Sequence, residues 1–299
     1  MITRTLKCDM NTKLFPIIGC PMGQSSASYA YNPLLAHNDV DEIMWPVEIN
    51  PGSLPEFMSA AHTLGIRHFT LTMPHKAPII PLLDEVDEES RLFNSVNAVR
   101  IDENGRSYGK GMDGVGNMAA IKRAGVDVTG MHVLILGAGS IVGVILLELS
   151  RHGVKKVTLA NRSLQNAQKL EQVVRAHTNM DITCIPFDDA SLNQAAQSCD
   201  FIMQATPLGL KGFGKDYTYL GFLDKLQPHA VVMENIVNPP FTTFAKYASS
   251  KGHKVIYGIE MMLGQVGEIF KYCIGRAPTE ASMLAAQQSV YQYFNFKPE

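Results

Sequence analysis

The run GAGSIVG, Gly137 to Gly143, follows an apolar stretch rich in β-formers and opens a helix-like one. In that setting Gly137 permits a tight turn, Gly139 lets backbone approach a pyrophosphate, and the N–H groups of the following helix face its charge. With Ala138 and Ser140 between and after them, these residues read as a phosphate-binding turn; the plain alternative is a structural βα turn. Val142 departs from the fingerprint, which expects Gly or Ala there, so its bulk should push helix and strand slightly apart unless Gly143 is the small residue of a shifted turn. At the end of the next strand stand Asn161, Arg162 and Ser163. No carboxylate is present to take ribose hydroxyls, and a guanidinium suits a 2′-phosphate, so NADP is favoured, with NAD as the alternative. Ser163 also suits a helix N-cap, beside which Arg162 would be a solvated side chain. A third group, Thr72, His75 and Lys76, ends an alternating strand, where open α/β sheets gather their ligands.

The elements that must position these groups are legible. Ser53 with Glu56 forms a capping-box pattern, Leu54, Phe57, Met58, Ala61 and Leu64 share a helical face, and Gly65 supplies the stop. From Ile66 the period becomes two, with Phe69, Leu71 and Met73 on one face and His68, Thr70 and Thr72 on the other, until Pro74. Beyond residue 113, strands are predicted at 132–136, 156–160, 182–185, 200–204, 230–234 and 254–257, with helical stretches between several of them. That is a doubly wound α/β pattern. Two last helical segments, 259–274 and 279–294, have no strand after them and are expected to pack back on the first domain. The fold class is therefore α/β: an N-terminal α/β substrate domain, 1–113 completed by 259–299, and a Rossmann-like dinucleotide-binding domain, 114–258.

Composition narrows the function classes. The 299 residues are 46% hydrophobic and 18% charged, ordinary for a compact domain pair. With 26 basic against 28 acidic residues the net charge is −2, and no basic run exceeds Lys155–Lys156, which argues against nucleic acid as a partner. Five cysteines without a CxxC pair fit a reduced cytoplasm. Residues 1 to 13 carry Arg4, Lys7, Asp9 and Lys13 and no apolar core, so export is not expected. The nearly charge-free stretch 131–150 has the length of a membrane span, but its glycines, His132 and Glu148 fit a strand, turn and buried helix instead, so no membrane partner is expected. No HExxH occurs and the nine histidines are scattered, so no metal is expected either.

LTMPHK (Leu71 to Lys76), SVNAV (Ser95 to Val99) and MDGVG (Met112 to Gly116), then GAGS, NRS and GIEMMLGQ (Gly258 to Gln265), stand in the order and spacing of the shikimate dehydrogenase family, which the chain resembles over nearly its whole length. The resemblance implies oxidation of a ring hydroxyl, in aromatic amino acid biosynthesis or quinate metabolism. It places the catalytic lysine and aspartate that flank this hydroxyl at Lys76 and Asp113. A lysine near a carboxylate and a carbinol can relay the hydroxyl proton as hydride leaves, while the carboxylate orients the amine. Taken singly, Lys76 would be a loop lysine and Asp113 a turn former before Gly114. The resemblance also implies that Thr72, Asn97 and Gln265 bond ring hydroxyls, that Ser25 binds the substrate carboxylate, and that Thr206 and Gly258 join the cofactor residues. A monomer or homodimer is expected.

The same comparison shows departures. Of the two serines that clamp the carboxylate in the family, the second falls at Ala27, with Ser26 and Ser28 as neighbours that a small shift would bring in. Gly111 and Met112 precede Asp113 where the family reads NxT; Gln204 and Ala205 precede Thr206 where it reads NAT; Glu234 and Val237 stand in a motif that commonly carries a tyrosine. The reactive pair is kept while its surroundings have drifted, as expected when reaction type is retained and substrate changed. Three functional readings follow: an NAD(P)-dependent dehydrogenase of shikimate, quinate or a related cyclic hydroxy acid; a non-catalytic sensor of metabolite and nucleotide; and a folate-type dehydrogenase, which only the layout supports.

Overall fold

A computed structural model describes residues 8–23 and 25–297; Arg4 and Lys7 lie outside the described residues. The chain divides into two compact units, Met1–Asp113 with Gln265–Glu299, and Gly114–Gly264.

In the first unit, β1 (Lys13–Gly19), β2 (Glu42–Glu48), β3 (His68–Leu71), β4 (Glu85–Val86), β5 (Ala98–Ile101) and β6 (Ser107–Lys110) form one sheet in the order β2-β1-β3-β5-β6-β4. β1 runs parallel to β2 and β3, whereas β5 is antiparallel to both β3 and β6. α1 (Ala27–His37), α2 (Leu54–Thr63) and α3 (Glu88–Leu92) lie between strands. Leu54, Phe57, Met58 and Ala61 of the predicted apolar face are buried with Ile18, Phe69 and Val99, and the Phe57 and Phe69 rings meet edge to face at 5.1 Å. Leu64, assigned to the same face, is 65% exposed, because α2 ends at Thr63 and Leu64 is its C-cap. Two further details differ from the sequence pattern. Ser53 does begin α2, but at φ −96°, ψ 17° it is not extended, and its hydroxyl caps nothing. β3 ends at Leu71, so Met73 is 69% exposed, and Thr70, assigned to the polar face, is buried because β3 is an interior strand.

The second unit has β7 (His132–Leu136), β8 (Lys156–Asn161), β9 (Asp181–Pro186), β10 (Phe201–Gln204), β11 (Val231–Glu234) and β12 (Lys254–Ile256) in the order β12-β11-β10-β7-β8-β9, every pair parallel. Interior parallel strands are covered on both faces and read as unbroken apolar runs; all five residues of β7 are buried. α4 (Asp113–Arg123), α5 (Ser140–Arg151), α6 (Leu164–Arg175), α7 (Asp189–Ala196) and α8 (Thr243–Ser250) complete the doubly wound pattern. The stretch 131–150 resolves into β7, a turn and α5, and among the described residues no helix is long and apolar enough to cross a membrane.

α9 (Gly258–Ile274) and α10 (Glu280–Phe294) follow. α10 returns to α1 within the first unit, as the missing terminal strand predicts: Tyr29 stacks on Tyr293 with ring centroids 3.9 Å apart, and Asn38 accepts from Thr279 N–H at 3.2 Å through its side chain and from Arg276 through its carbonyl.

Candidate active site

The turn after β3 fixes Lys76 through its backbone. His75 N–H donates to Thr72 O (3.0 Å), the fully buried His75 ring bonds Ile49 O through Nε2 (2.7 Å), and Lys76 O accepts from Val96 N–H (3.2 Å). That last bond ties the lysine to the segment carrying Ser95 and Asn97. Asp113 opens α4, preceded by a tight approach: a Cβ on Gly111 would lie 2.1 Å from Ser95 O, so no side chain fits there.

Around the Asp113 carboxylate four side chains converge. Lys76 Nζ lies 2.8 Å from Oδ2 and 3.0 Å from Oδ1, Gln265 Nε2 donates to Oδ1 at 2.7 Å, Asn97 Nδ2 to Oδ1 at 3.2 Å, and Ser95 Oγ to Oδ2 at 3.3 Å. An ionised carboxylate has about four lone-pair sites, so this one is filled by donors. The lysine and aspartate side chains are 17% and 9% exposed, enough for the amine to meet a ligand while water access is limited. Four residues singled out in the sequence thus meet: Lys76, Asn97, Asp113 and Gln265. Ser95 belongs to the same cluster and was missed, although it lies in the SVNAV motif.

Thr72 and Ser25 sit apart from these bonds. Thr72 N–H donates to Ile18 O (2.9 Å), its methyl abuts Gly19, and its hydroxyl has no protein partner among the described residues. Ser25 Oγ accepts from Ala27 N–H at 3.4 Å at the start of α1; Ser26 is buried at the N-cap position and Ala27 and Met112 are buried as well.

In the second unit the strand ends surround a cavity of about 540 Å³, within the range of small-molecule and cofactor pockets. Gly137, Ala138 and Gly139 line one side, Asn161, Arg162 and Ser163 another, and Thr206 a third. Gly137 has φ +110°, and a Cβ on it would lie 2.8 Å from Ala205 O, so glycine is required by conformation and by space. Gly139 is the N-cap of α5 and has no atom within 4 Å of where a Cβ would be, leaving room for a ligand to approach backbone N–H groups. This cradle and the guanidinium fit a dinucleotide. Val142 is fully buried behind the turn. Ser163 does cap α6, accepting from Asn166 N–H at 3.3 Å, and Asn161 Nδ2 donates to Ser163 O at 2.9 Å, so capping and cavity lining coexist. Ser140 opens α5 outside the cavity wall. Gly258 is also outside it; a Cβ there would lie 1.9 Å from Ile236 O, so this glycine serves a close backbone crossing. Sequence reasoning missed Asn166, Phe187, Pro207, Leu208, Phe213 and Lys215, which complete the walls together with Ala205.

At the end of β11, Glu234 is fully buried, accepting from Thr242 Oγ1 (2.6 Å) and Ile236 N–H (2.8 Å). Burial pushes its carboxyl up to about 7 despite these bonds.

Comparison with known proteins agrees with this layout. Residues 17–99 match the shikimate dehydrogenase substrate binding domain, and residues 119–209 match the shikimate / quinate 5-dehydrogenase domain. Shikimate dehydrogenase (NADP(+)) of Alkaliphilus metalliredigens is 30% identical over 88% of this chain and 92% of its own. Shikimate 5-dehydrogenase of Listeria monocytogenes, solved with shikimate and NAD, superposes with a TM-score of 0.84 at 24% identity over 97% of this chain and 98% of that one. Quinate dehydrogenase of Corynebacterium glutamicum, solved with NAD, gives 0.80 at 21% identity over 94% and 99%. The two matched domains and the relative that is similar across almost its full length place this chain in the shikimate dehydrogenase family.

Proposed function

We propose that this chain is an NAD(P)-dependent dehydrogenase, favouring NADP, that interconverts a ring hydroxyl and a ketone on a cyclic hydroxy acid of the shikimate or quinate class. The observation that carries the reading is the convergence of Lys76, Ser95, Asn97 and Gln265 on Asp113, with the lysine amine at 2.8 Å. Asp113 is filled by donors and acts as the acceptor that aims Lys76. Lys76 Nζ, as the free amine, takes the proton of the substrate hydroxyl during oxidation and, as the ammonium, returns it to the carbonyl oxygen during reduction. NAD(P), when bound, supplies the hydride acceptor or donor. Gly137 to Gly139 would hold its pyrophosphate through backbone N–H groups, and Arg162 its 2′-phosphate.

Thr72 and Ser25 serve substrate contact in this reading, Thr72 through a hydroxyl that no described residue occupies. Gln265 and Asn97 each have an amide hydrogen left over from Asp113 for a ring hydroxyl, and the Gln265 carbonyl oxygen can accept from one. Ala27, Met112 and Val237 replace polar groups usual in the family, which favours a less hydroxylated or differently substituted ring. A buried ion pair aimed by three further donors is superfluous for metabolite sensing, which favours turnover over a sensor. Purified protein assayed against a panel of cyclic hydroxy acids, with NAD and NADP in parallel, tests this: reduction of NADP with one member separates the dehydrogenase from the sensor, whereas a flat panel with both cofactors leaves the two readings open.

A further inference from the structure

The cavity of the second unit has a wall that neither the glycine turn nor Arg162 provides. Beyond β10 the chain passes Thr206 to Leu208 and enters GLKGFGK, in which Gly209, Gly212 and Gly214 have φ of +91°, +86° and +72°. Gly209 N–H donates to Lys215 O at 2.9 Å and Phe213 N–H to Leu210 O at 3.0 Å, so the segment closes on itself. Its Phe213 and Lys215 line the same cavity as Arg162.

The loop reaches the Arg162 end of that cavity. Asn161 pairs in register with Pro186, Phe187 follows Pro186 and lines the cavity, and the ring of Tyr217, two residues past Lys215, lies 6.2 Å from that of Phe187. The neighbouring carboxylate is engaged elsewhere: Asp216 accepts from Thr243 Oγ1 at 2.6 Å and from Tyr217 N–H at 2.7 Å. Among the described residues neither Arg162 nor Lys215 forms an ion pair. Both cations line one cavity, so a dianion bound there can gain charge-assisted hydrogen bonds from both.

We propose that Lys215 is a second phosphate-reading cation, and that it and Arg162 together hold the 2′-phosphate of NADP from two walls of the cavity. The inference rests on the cofactor reading above and adds a residue that no phosphate motif marks.

Calorimetric titration of the full chain with 2′,5′-adenosine bisphosphate and with 5′-AMP tests it without turnover. Lys215→Ala should weaken the bisphosphate by about tenfold, the size of one lost charge-assisted hydrogen bond, and leave 5′-AMP within about twofold. Lys215→Arg should retain binding. Phe213→Ala, on the same wall but without charge, should weaken both ligands alike. Unchanged bisphosphate binding in Lys215→Ala, with loss in Arg162→Ala, overturns this inference and leaves the cofactor reading standing. Equal losses of both ligands in Lys215→Ala place the lysine on the 5′-phosphate and also overturn it. Wild-type protein that binds neither ligand removes the cofactor reading and this inference together.

Discussion

Asn97 holds Asp113 from both sides of one amide: Nδ2 donates to Asp113 Oδ1 at 3.2 Å while Oδ1 accepts the Met112 N–H at 2.7 Å, fixing the residue before the aspartate. A side chain read from sequence as a substrate ligand is thereby a part of the frame that orients the carboxylate.

Lys76→Ala should lower turnover by roughly 100-fold or more, because positioned proton transfer supplies rate of that order. Ser95, Asn97 and Gln265 still donate to Asp113 in this variant, so the carboxylate is not stranded and folding should survive. Steady-state kinetics with a circular dichroism control checks both parts. Full turnover in Lys76→Ala and in Asp113→Asn would remove the catalytic assignment.

Arg162→Ala should raise the KM for NADP by about tenfold and change that for NAD by less than about twofold, since only NADP carries the phosphate that a guanidinium binds. Initial rates at saturating substrate with each cofactor measure this. Equal losses would reduce Arg162 to a solvated neighbour of the Ser163 cap.

Ala27→Ser should raise kcat/KM on shikimate if the lost second hydroxyl of the carboxylate clamp limits it, by a factor consistent with about 1 kcal/mol for one hydrogen bond. High wild-type efficiency on shikimate would mean that Ser25 with Ser26 or Ser28 already completes the clamp.

Glu234 makes stability depend on pH. Its folded pKa of about 7 lies above the ordinary 4.5, so the native state holds the extra proton between these values. Stability from this group is present in full below about 4.5, falls as pH rises to about 7, and is lost beyond, a change on the order of 3 kcal/mol. Urea denaturation at pH 5 and pH 8 should show a smaller difference for Glu234→Gln than for wild type; an identical difference in both proteins would count against the buried proton.

Gly258→Ala should destabilise by about 2 kcal/mol or more, because backbone that cannot move aside cheaply must shift to admit the methyl group. The obstacle is Ile236 O, 1.9 Å from the added carbon. A melting temperature equal to wild type would refute it.

The repeating strands of the second unit were legible because interior parallel strands announce themselves as apolar runs: His132–Leu136 stands where 132–136 was read, and the last five strands shift by a residue at most. Caps were less so. Asp87, Ser163, Asp188, Thr242 and Thr279 cap with their side chains from extended backbone, while Ser53, with the better capping-box sequence, sits near ψ 17° and does not. Composition cannot tell these apart, since the incoming chain sets ψ. Within the site, Lys76, Asp113 and Ser95 all stand in motifs, but the bond from Ser95 to Asp113 joins residues distant in sequence, and no local pattern sets Lys215 apart from other lysines.

The order of the two sheets leaves four strands at their rims, and each is unsuited to growth. β2 carries Pro46, which offers no N–H to a newcomer, and β4 is two residues long. β9 starts with Asp181 and ends with Pro186; β12 has three residues and opens with Lys254. Strand addition from another chain would therefore meet a missing donor, a charge or too short a template at every rim, so these open sheets are protected against aggregation by edge-to-edge pairing.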